Sequence, residues 1–242
     1  MSRAGDEFGG LAQQRSSWLI PLVVFFVTAC LSAIVFAYYF APGPPGLGEE
    51  MPSPTDATGP VTLTLGPQHF RIPANYILLS SARRGGALNE LSMAAVLPGL
   101  QGYSLGAAQD FAANAPDSHI VTITVKSSPI PAPEQERLDR IYLMQVVDSG
   151  GQIGPFGLKQ YSFRLDSGYH AEDLFVGSTE AGPIVLLCDR PNAETPSPNC
   201  LRDMPLGQSL ALSYRFKRVQ LAQWRTIDAG LRGLLSGFFD KN

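Results

Sequence analysis

The chain has 242 residues, 45% hydrophobic and 16% charged, with a formal net charge of −3. That length allows one or two domains and the apolar fraction is that of a globular protein, while the slightly acidic balance argues against a nucleic-acid partner and against a polybasic membrane patch. The 20 prolines and 24 glycines cluster rather than scatter, and they divide the chain.

Residues 18–40 contain no charge over 23 positions, and a bilayer core needs about 20 helical residues to cross. Trp18 stands at one end of this run and Tyr38 and Tyr39 at the other, where amphipathic aromatics favour membrane interfaces. Pro21 falls in the first turn, where its missing N–H costs least. The pattern predicts a transmembrane helix over 18–40. The preceding tail, 1–17, carries Arg3 and Arg15, whereas residues 41–60 have no Lys or Arg and hold Glu49, Glu50 and Asp56. Basic residues stay on the cytoplasmic side, so the tail is expected inside and the C-terminal part outside. A cleaved signal peptide would have a shorter apolar region and a basic start, and Asp6 and Glu7 oppose it. The alternative is a bacterial lipobox, Val27-Thr28-Ala29-Cys30, with Cys30 lipidated after cleavage. Ten further apolar residues, 31–40, favour the uncleaved helix, in which Cys30 is a small apolar side chain.

Residues 41–60 include six prolines and four glycines. They have almost nothing to bury and are expected to form an extended, mobile linker with a reach of roughly 60 Å.

The remainder, 61–242, balances 16 basic against 16 acidic residues and shows no internal repeat. Period-two alternation predicts strands at 61–65, 121–126 and 210–217, each with one face buried. Further strands are expected at 70–72, 76–79, 158–165, 173–178 and 184–188, and 91–97 fits either strand or helix. Pro133 opens a helix through Val146. The last helix is expected over 221–239, with Trp224, Ile227, Leu231, Leu234, Leu235 and Phe238 at helical spacing. A shorter helix follows Ser104, through Ala112. The class is α+β: a mostly antiparallel sheet covered by two or three helices.

Cys188 and Cys200 flank a proline-rich loop. In an oxidising compartment such a pair should be bridged, which stabilises by roughly 3 kcal/mol in the chain-entropy model. A redox or metal pair is the rival, but the spacing is not C-x-x-C and no histidine lies near. The strongest metal-like cluster is His170, Glu172 and Asp173. It lacks further ligands and reads better as a solvated turn, and His69 and His119 fall in expected strands. The glycine-rich run 150–157 lacks the context and the Lys of a phosphate loop, and Arg83-Arg84-Gly85-Gly86 reads as a solvated turn tip. No Asn-x-Ser/Thr sequon occurs, which favours a bacterial envelope over a secretory pathway. No catalytic residue, metal ligand or cofactor site is assigned.

The layout resembles that of small single-pass inner-membrane proteins of Gram-negative bacteria with a periplasmic domain. The segment Phe70-Arg-Ile-Pro-Ala-Asn-Tyr-Ile77, the late cysteine pair and the closing Trp224 helix carry that resemblance. It implies a periplasmic α+β domain and no activity. The leading expectation is a non-enzymatic, membrane-anchored binding or scaffold protein of the envelope, with an envelope protein as partner. The alternative is an envelope hydrolase or transferase whose site converges from scattered residues. A transmembrane signalling role is weakened by the short tail.

Overall fold

A computed structural model describes residues 18–40, 50–112, 115–179, 182–192 and 195–240. The chain falls into two compact units, Met1–Glu50 and Met51–Asn242. The expected cytoplasmic tail and residues 41–49 lie outside the described residues.

In the first unit α1 spans Leu19–Phe40, 22 residues without a charge. Its side chains are described from 20 to 36, and all of these are exposed. The Thr28 hydroxyl donates to the carbonyls of Val24 and Phe25, so this side chain needs no solvent. Among the described residues no helix is long and apolar enough to cross a membrane, so the crossing expected over 18–40 is not established by the fold.

The second unit begins inside the stretch expected as free linker. The Ser53 N–H donates to the Leu78 carbonyl and the Ala74 N–H to the Gly59 carbonyl, each at 2.9 Å. Residues 51–59 therefore form a strap on the domain, held by backbone hydrogen bonds rather than by apolar burial.

β1 (Pro60–Leu65) and β2 (Gln68–Pro73) form a hairpin, and β3 (Gly86–Leu88) runs parallel to β1, giving a three-stranded sheet in the order β2-β1-β3. The large sheet takes β4 (Glu90–Val96), β5 (Ile120–Lys126), β6 (Gln152–Ile153), β7 (Lys159–Ser162), β8 (Glu172–Thr179), β9 (Gly182–Asp189), β10 (Asn199–Leu206) and β11 (Leu210–Lys217). Among the described residues its order is β4-β5-β11-β10-β9-β8-β7-β6, and every pairing is antiparallel. The helices are α2 (Ala108–Ala112), α3 (Glu134–Arg137, continued by a wide turn over Leu138–Tyr142) and α4 (Trp224–Phe238). The class is α+β with a large antiparallel sheet, in line with the alternation in the sequence.

Some local expectations change. The helix expected over 133–146 ends at Tyr142, because Val146 bridges Phe163 and the Val147 N–H donates to the Ser162 carbonyl. The strand expected at 76–79 is a 3-10 turn, Ala74–Tyr76, followed by one bridge from Ile77 to Met93. The Arg83 guanidinium holds the Ile77 carbonyl at 2.8 Å and also donates to the Ser53 hydroxyl. It is an anchor for the strap, not a solvated turn tip. The segment 91–97 resolves as β4, with Leu91, Met93 and Ala95 in the core.

The core lies between the inner face of the large sheet, the small sheet and α4. Trp224, Ile227, Leu231, Leu235 and Phe238 recur every three or four residues and bury one stripe of α4, each contributing roughly 1.5–3 kcal/mol by removal from water. The Trp224 indole N–H donates to the Phe156 carbonyl at 3.2 Å. Its ring lies on Gly177, where a Cβ would come within 2.5 Å of the ring. A second core packs Leu138 and Tyr142 of the α3 segment onto Tyr161, Phe163, Leu174 and Val185, on the outer face of β7–β9.

Gly177→Ala forces the Trp224 ring off the sheet. We expect a loss of about 1–3 kcal/mol in urea unfolding; an unchanged midpoint would show that α4 does not rest on this contact.

Candidate functional site on the open face of the large sheet

The large sheet is forked. β9 and β10 pair only at Cys188–Cys200 and Leu187–Leu201, then part. The disulfide Cys188–Cys200 closes the narrow end, with a Cα–Cα distance of 4.0 Å. Beyond it, backbone groups that a neighbouring strand would have met need other partners. The α3 segment supplies them: the Val185 N–H donates to a Glu134 carboxylate oxygen at 3.1 Å, and the Arg137 guanidinium donates to the Asp203 carbonyl.

Arg202 fills the fork and is only 1% exposed. Its guanidinium donates to both Glu134 oxygens, Nε at 2.8 Å, and to the Asp228 carboxylate of α4. The Tyr214 hydroxyl donates to the same Asp228 oxygen at 3.2 Å, and Arg232 holds the other oxygen at 3.0 Å. Glu134 reaches in from the outer face and Asp228 from the inner face, so one side chain joins helices on opposite sides of the sheet. Burial by itself would lower the Arg202 pKa, but the Glu134 hydrogen bond and the surrounding negative charge outweigh it and hold the pKa above its usual value. Burial pushes the Tyr214 phenol up, against the opposing charge of Arg202. The arrangement is a satisfied ion network and leaves no free nucleophile or base.

The same fork divides the outer face. α3 covers β7–β9, whereas the face over β5, β11 and β10 lies beyond α3 and holds cavities. Three cavities there share lining residues, so they form one trough along the strands. A cavity of about 470 Å³ lies under Pro52, Leu78 and Phe111 and reaches Arg215 and Lys217. One of about 150 Å³ shares Thr122 and Arg215 with it. One of about 330 Å³ shares Thr124 and Ser213 with the second and ends at Pro129, Pro131 and Arg137.

At one end a polar row crosses four strands. Glu172 lies opposite Asp189, the Asn199 N–H donates to Asp189 at 2.9 Å, and Asn199 lies opposite Lys217. The Lys217 ammonium donates to the Ser197 hydroxyl at 2.6 Å. Burial lowers its pKa, with Asp189 opposing and Arg215 adding to the fall. One oxygen of Glu172 has no hydrogen-bond partner among the described residues. Burial first, then Asp189, pushes its pKa up, while Arg215 acts against them.

The residues singled out from sequence do not converge. His69 and His119 are exposed, and His170 lies in the turn before β8, its Nδ1 3.0 Å from the Ser167 carbonyl oxygen. Glu172 and Asp173 point to opposite faces. Asp173 binds Arg190 at 2.8 Å and Arg218 at 2.7 Å. Among the described residues no three His, Cys, Asp or Glu side chains gather as a metal site. The run 150–157 holds the edge strand β6 and a 3-10 turn over Pro155–Gly157, with Gly151, Phe156 and Gly157 at positive φ. Sequence reasoning missed Arg202, Glu134 and Asp228, though two carried a signal. Arg202 takes an inward strand position between Cys200 and Met204, and Asp228 interrupts the apolar stripe of α4.

The domain thus belongs to the α+β class with a forked antiparallel sheet. No family model and no curated protein matches the sequence. Among solved structures the fold is similar to that of Smlt3025, an immunity protein of the Stenotrophomonas maltophilia type IV secretion system, with a TM-score of 0.55 and 15% identity over 80% of this chain and 100% of that one. It is also similar to FrpD, an iron-regulated outer membrane lipoprotein of Neisseria meningitidis, with a TM-score of 0.50 and 10% identity over 79% of this chain and 98% of that one. At these identities the likeness is one of fold.

Arg202→Met leaves Glu134 without its counter-ion and Asp228 with Arg232 alone, and should cost about 3–5 kcal/mol in urea unfolding, whereas the triple change with Glu134→Gln and Asp228→Asn should recover most of it. For Glu172, a folded pKa above the usual 4.5 means that its contribution to stability is complete below that value and is lost as pH rises through the raised one. Glu172→Gln should therefore raise the melting temperature at pH 7 by about 1–3 °C, with the difference shrinking toward pH 4. A gain that instead grows on acidification would refute the sign.

Proposed function

We propose that this chain is a non-enzymatic binding protein of the bacterial envelope, anchored by α1 as a single-pass inner-membrane helix, with Met51–Asn242 as its periplasmic binding domain. The observation that carries the binding half is that, among the described residues, the charged side chains buried in the domain are engaged by other protein groups, one oxygen of Glu172 excepted. Arg137, Asp173, Arg202, Lys217 and Asp228 all have hydrogen-bonded partners. The domain offers a surface rather than a reaction centre. The fold likeness to an immunity protein and to an outer membrane lipoprotein supports the envelope setting.

The anchor rests on α1. Its 22 uncharged residues rise roughly 33 Å, against about 30 Å of bilayer hydrocarbon. Exposed Val, Ile and Phe side chains around the helix suit lipid and not water. The disulfide supports an oxidising compartment, since such bonds rarely persist in cytosol.

A phosphatase reporter fused after Asn242 should be active, and a fluorescent protein that folds only in cytoplasm should be dark at that position. Protein taken from its native membrane should alkylate at Cys30 alone and stay in the pellet after carbonate washing. Its mass should still include residues 1–29. Loss of residues 1–29 would replace the spanning helix by the lipidated Cys30. An inactive phosphatase fusion, or free Cys188 and Cys200, would sink the periplasmic placement.

A further inference from the structure

The proposed binding role leaves open which surface binds and what chemistry it reads. Arg215 is exposed on the trough floor and makes no ion pair among the described residues. The other basic groups lining the trough are engaged. Lys126 pairs with Glu90 at 3.1 Å, Arg137 donates to the Asp203 carbonyl and Lys217 to Ser197. A guanidinium presents a planar fork of donors that matches a carboxylate, and it is weakly hydrated, so it gives up water readily for such a partner. Beside Arg215 the largest of the three trough cavities has an apolar wall of Pro52, Pro54, Leu78, Phe111 and Ile120. Acceptor for charge and acceptor for apolar surface thus lie side by side.

The shape narrows the ligand. The trough follows β5 and β11 across the paired positions Thr122–Arg215 to Lys126–Ala211, a length of roughly 15 Å in strand geometry. An extended polypeptide of about five residues covers that length, with alternate side chains toward the floor. Thr122, Thr124 and Ser213 line the floor with hydroxyls that can donate or accept. The sign of the charge agrees. The trough is lined by four basic side chains, Lys126, Arg137, Arg215 and Lys217, against Asp110 and Asp203, whereas residues 61–242 as a whole balance 16 basic against 16 acidic residues. A positive strip on a domain whose charges otherwise balance steers acidic partners to that strip.

We propose that this trough docks an extended segment of a partner protein bearing a carboxylate next to an apolar side chain, with Arg215 as the carboxylate's ligand; the inference rests on the binding role proposed above. The Arg215 guanidinium pairs with the carboxylate, and the neighbouring apolar side chain enters the pocket under Pro52, Leu78 and Phe111.

The test uses the full chain in lipid nanodiscs and a fluorescein-labelled peptide of alternating Glu and Val, about ten residues long, read by anisotropy. Saturable binding is expected, weakened about tenfold or more by Arg215→Glu and weakened further by added salt. Ser213→Trp fills the trough without changing its charge and should also weaken binding, whereas Leu165→Trp, which lines none of the three cavities, should not. Matching thermal melts for the variants separate lost binding from lost folding. No saturable binding, an unchanged affinity in Arg215→Glu, or equal binding of the corresponding Lys and Val peptide overturns the proposal. So does equal competition by an oligothymidylate, which would make the trough a reader of polyanions. The broader role is read separately, by crosslinking in native membranes. A partner captured equally by wild type and Arg215→Glu overturns the trough and keeps the binding role. Peptide binding that depends on Arg215 while no envelope partner is captured keeps the trough and overturns that role.

Discussion

Arg202 stands where two neighbouring strands part, and the rest of the domain is arranged around keeping its charge there. Removing a guanidinium from water costs several kcal/mol, which is offset only when the geometry and the number of hydrogen bonds are favourable. Glu134 and Asp228 meet that demand from opposite sides of the sheet, and Tyr214 and Arg232 fix Asp228 in turn. Because one side chain satisfies both helices, neither α3 nor α4 can shift without exposing a charge to an apolar surround. The fork therefore sets where the covering helices sit, and with them the boundary between the covered and open parts of the sheet.

The disulfide and the ion network act at successive positions along the same pair of strands. Cys188 and Cys200 hold β9 and β10 together at the closed end, two residues before Arg202 holds them apart. At that closed end Asp173, opposite Cys188, takes Arg190 and Arg218, and Arg218 lies over the Phe175 ring at 5.3 Å. The charges on this side are saturated, so the inner face is committed to packing. The outer face over β5, β11 and β10 carries the trough, where Arg215 makes no ion pair among the described residues.

Alternation made the sheet legible. Val121, Ile123 and Val125, and Leu210, Leu212, Tyr214 and Phe216, face inward as their period of two requires, and the α4 stripe follows its period of three and four. Elements whose limits depend on distant partners were less legible. Nothing local to 133–146 announces that Val146 must bridge Phe163. Nor does the proline-rich run 51–59 announce its docking, because the strap is held by backbone hydrogen bonds and by Arg83 rather than by apolar side chains. Of the candidate site, only two charges out of place were visible, Arg202 on an inward strand position and Asp228 in an apolar stripe. Glu134 carried no such mark, since an acidic residue after Pro133 is ordinary at a helix start. The trough was not readable at all, because it is formed by strands far apart in sequence, Thr122 meeting Arg215 and Lys126 meeting Ala211, brought together in register.

A fold shared at 15% and 10% identity with an immunity protein and an outer membrane lipoprotein preserves a frame while its side chains are almost wholly replaced. The division of labour in this domain accounts for how that is possible. Burial patterns tolerate exchange among apolar residues of similar size, whereas a forked sheet must refill its fork with groups that satisfy the freed backbone. In this chain the filling comes from Glu134, Arg137 and Arg202. Thr122, Ser213 and Arg215 on the open face are free of that duty: their side chains pack no core and close no network, so a change there leaves the frame intact. A surface that can vary without cost to folding is thus set on a frame that cannot, and fold and surface chemistry are separable in this domain.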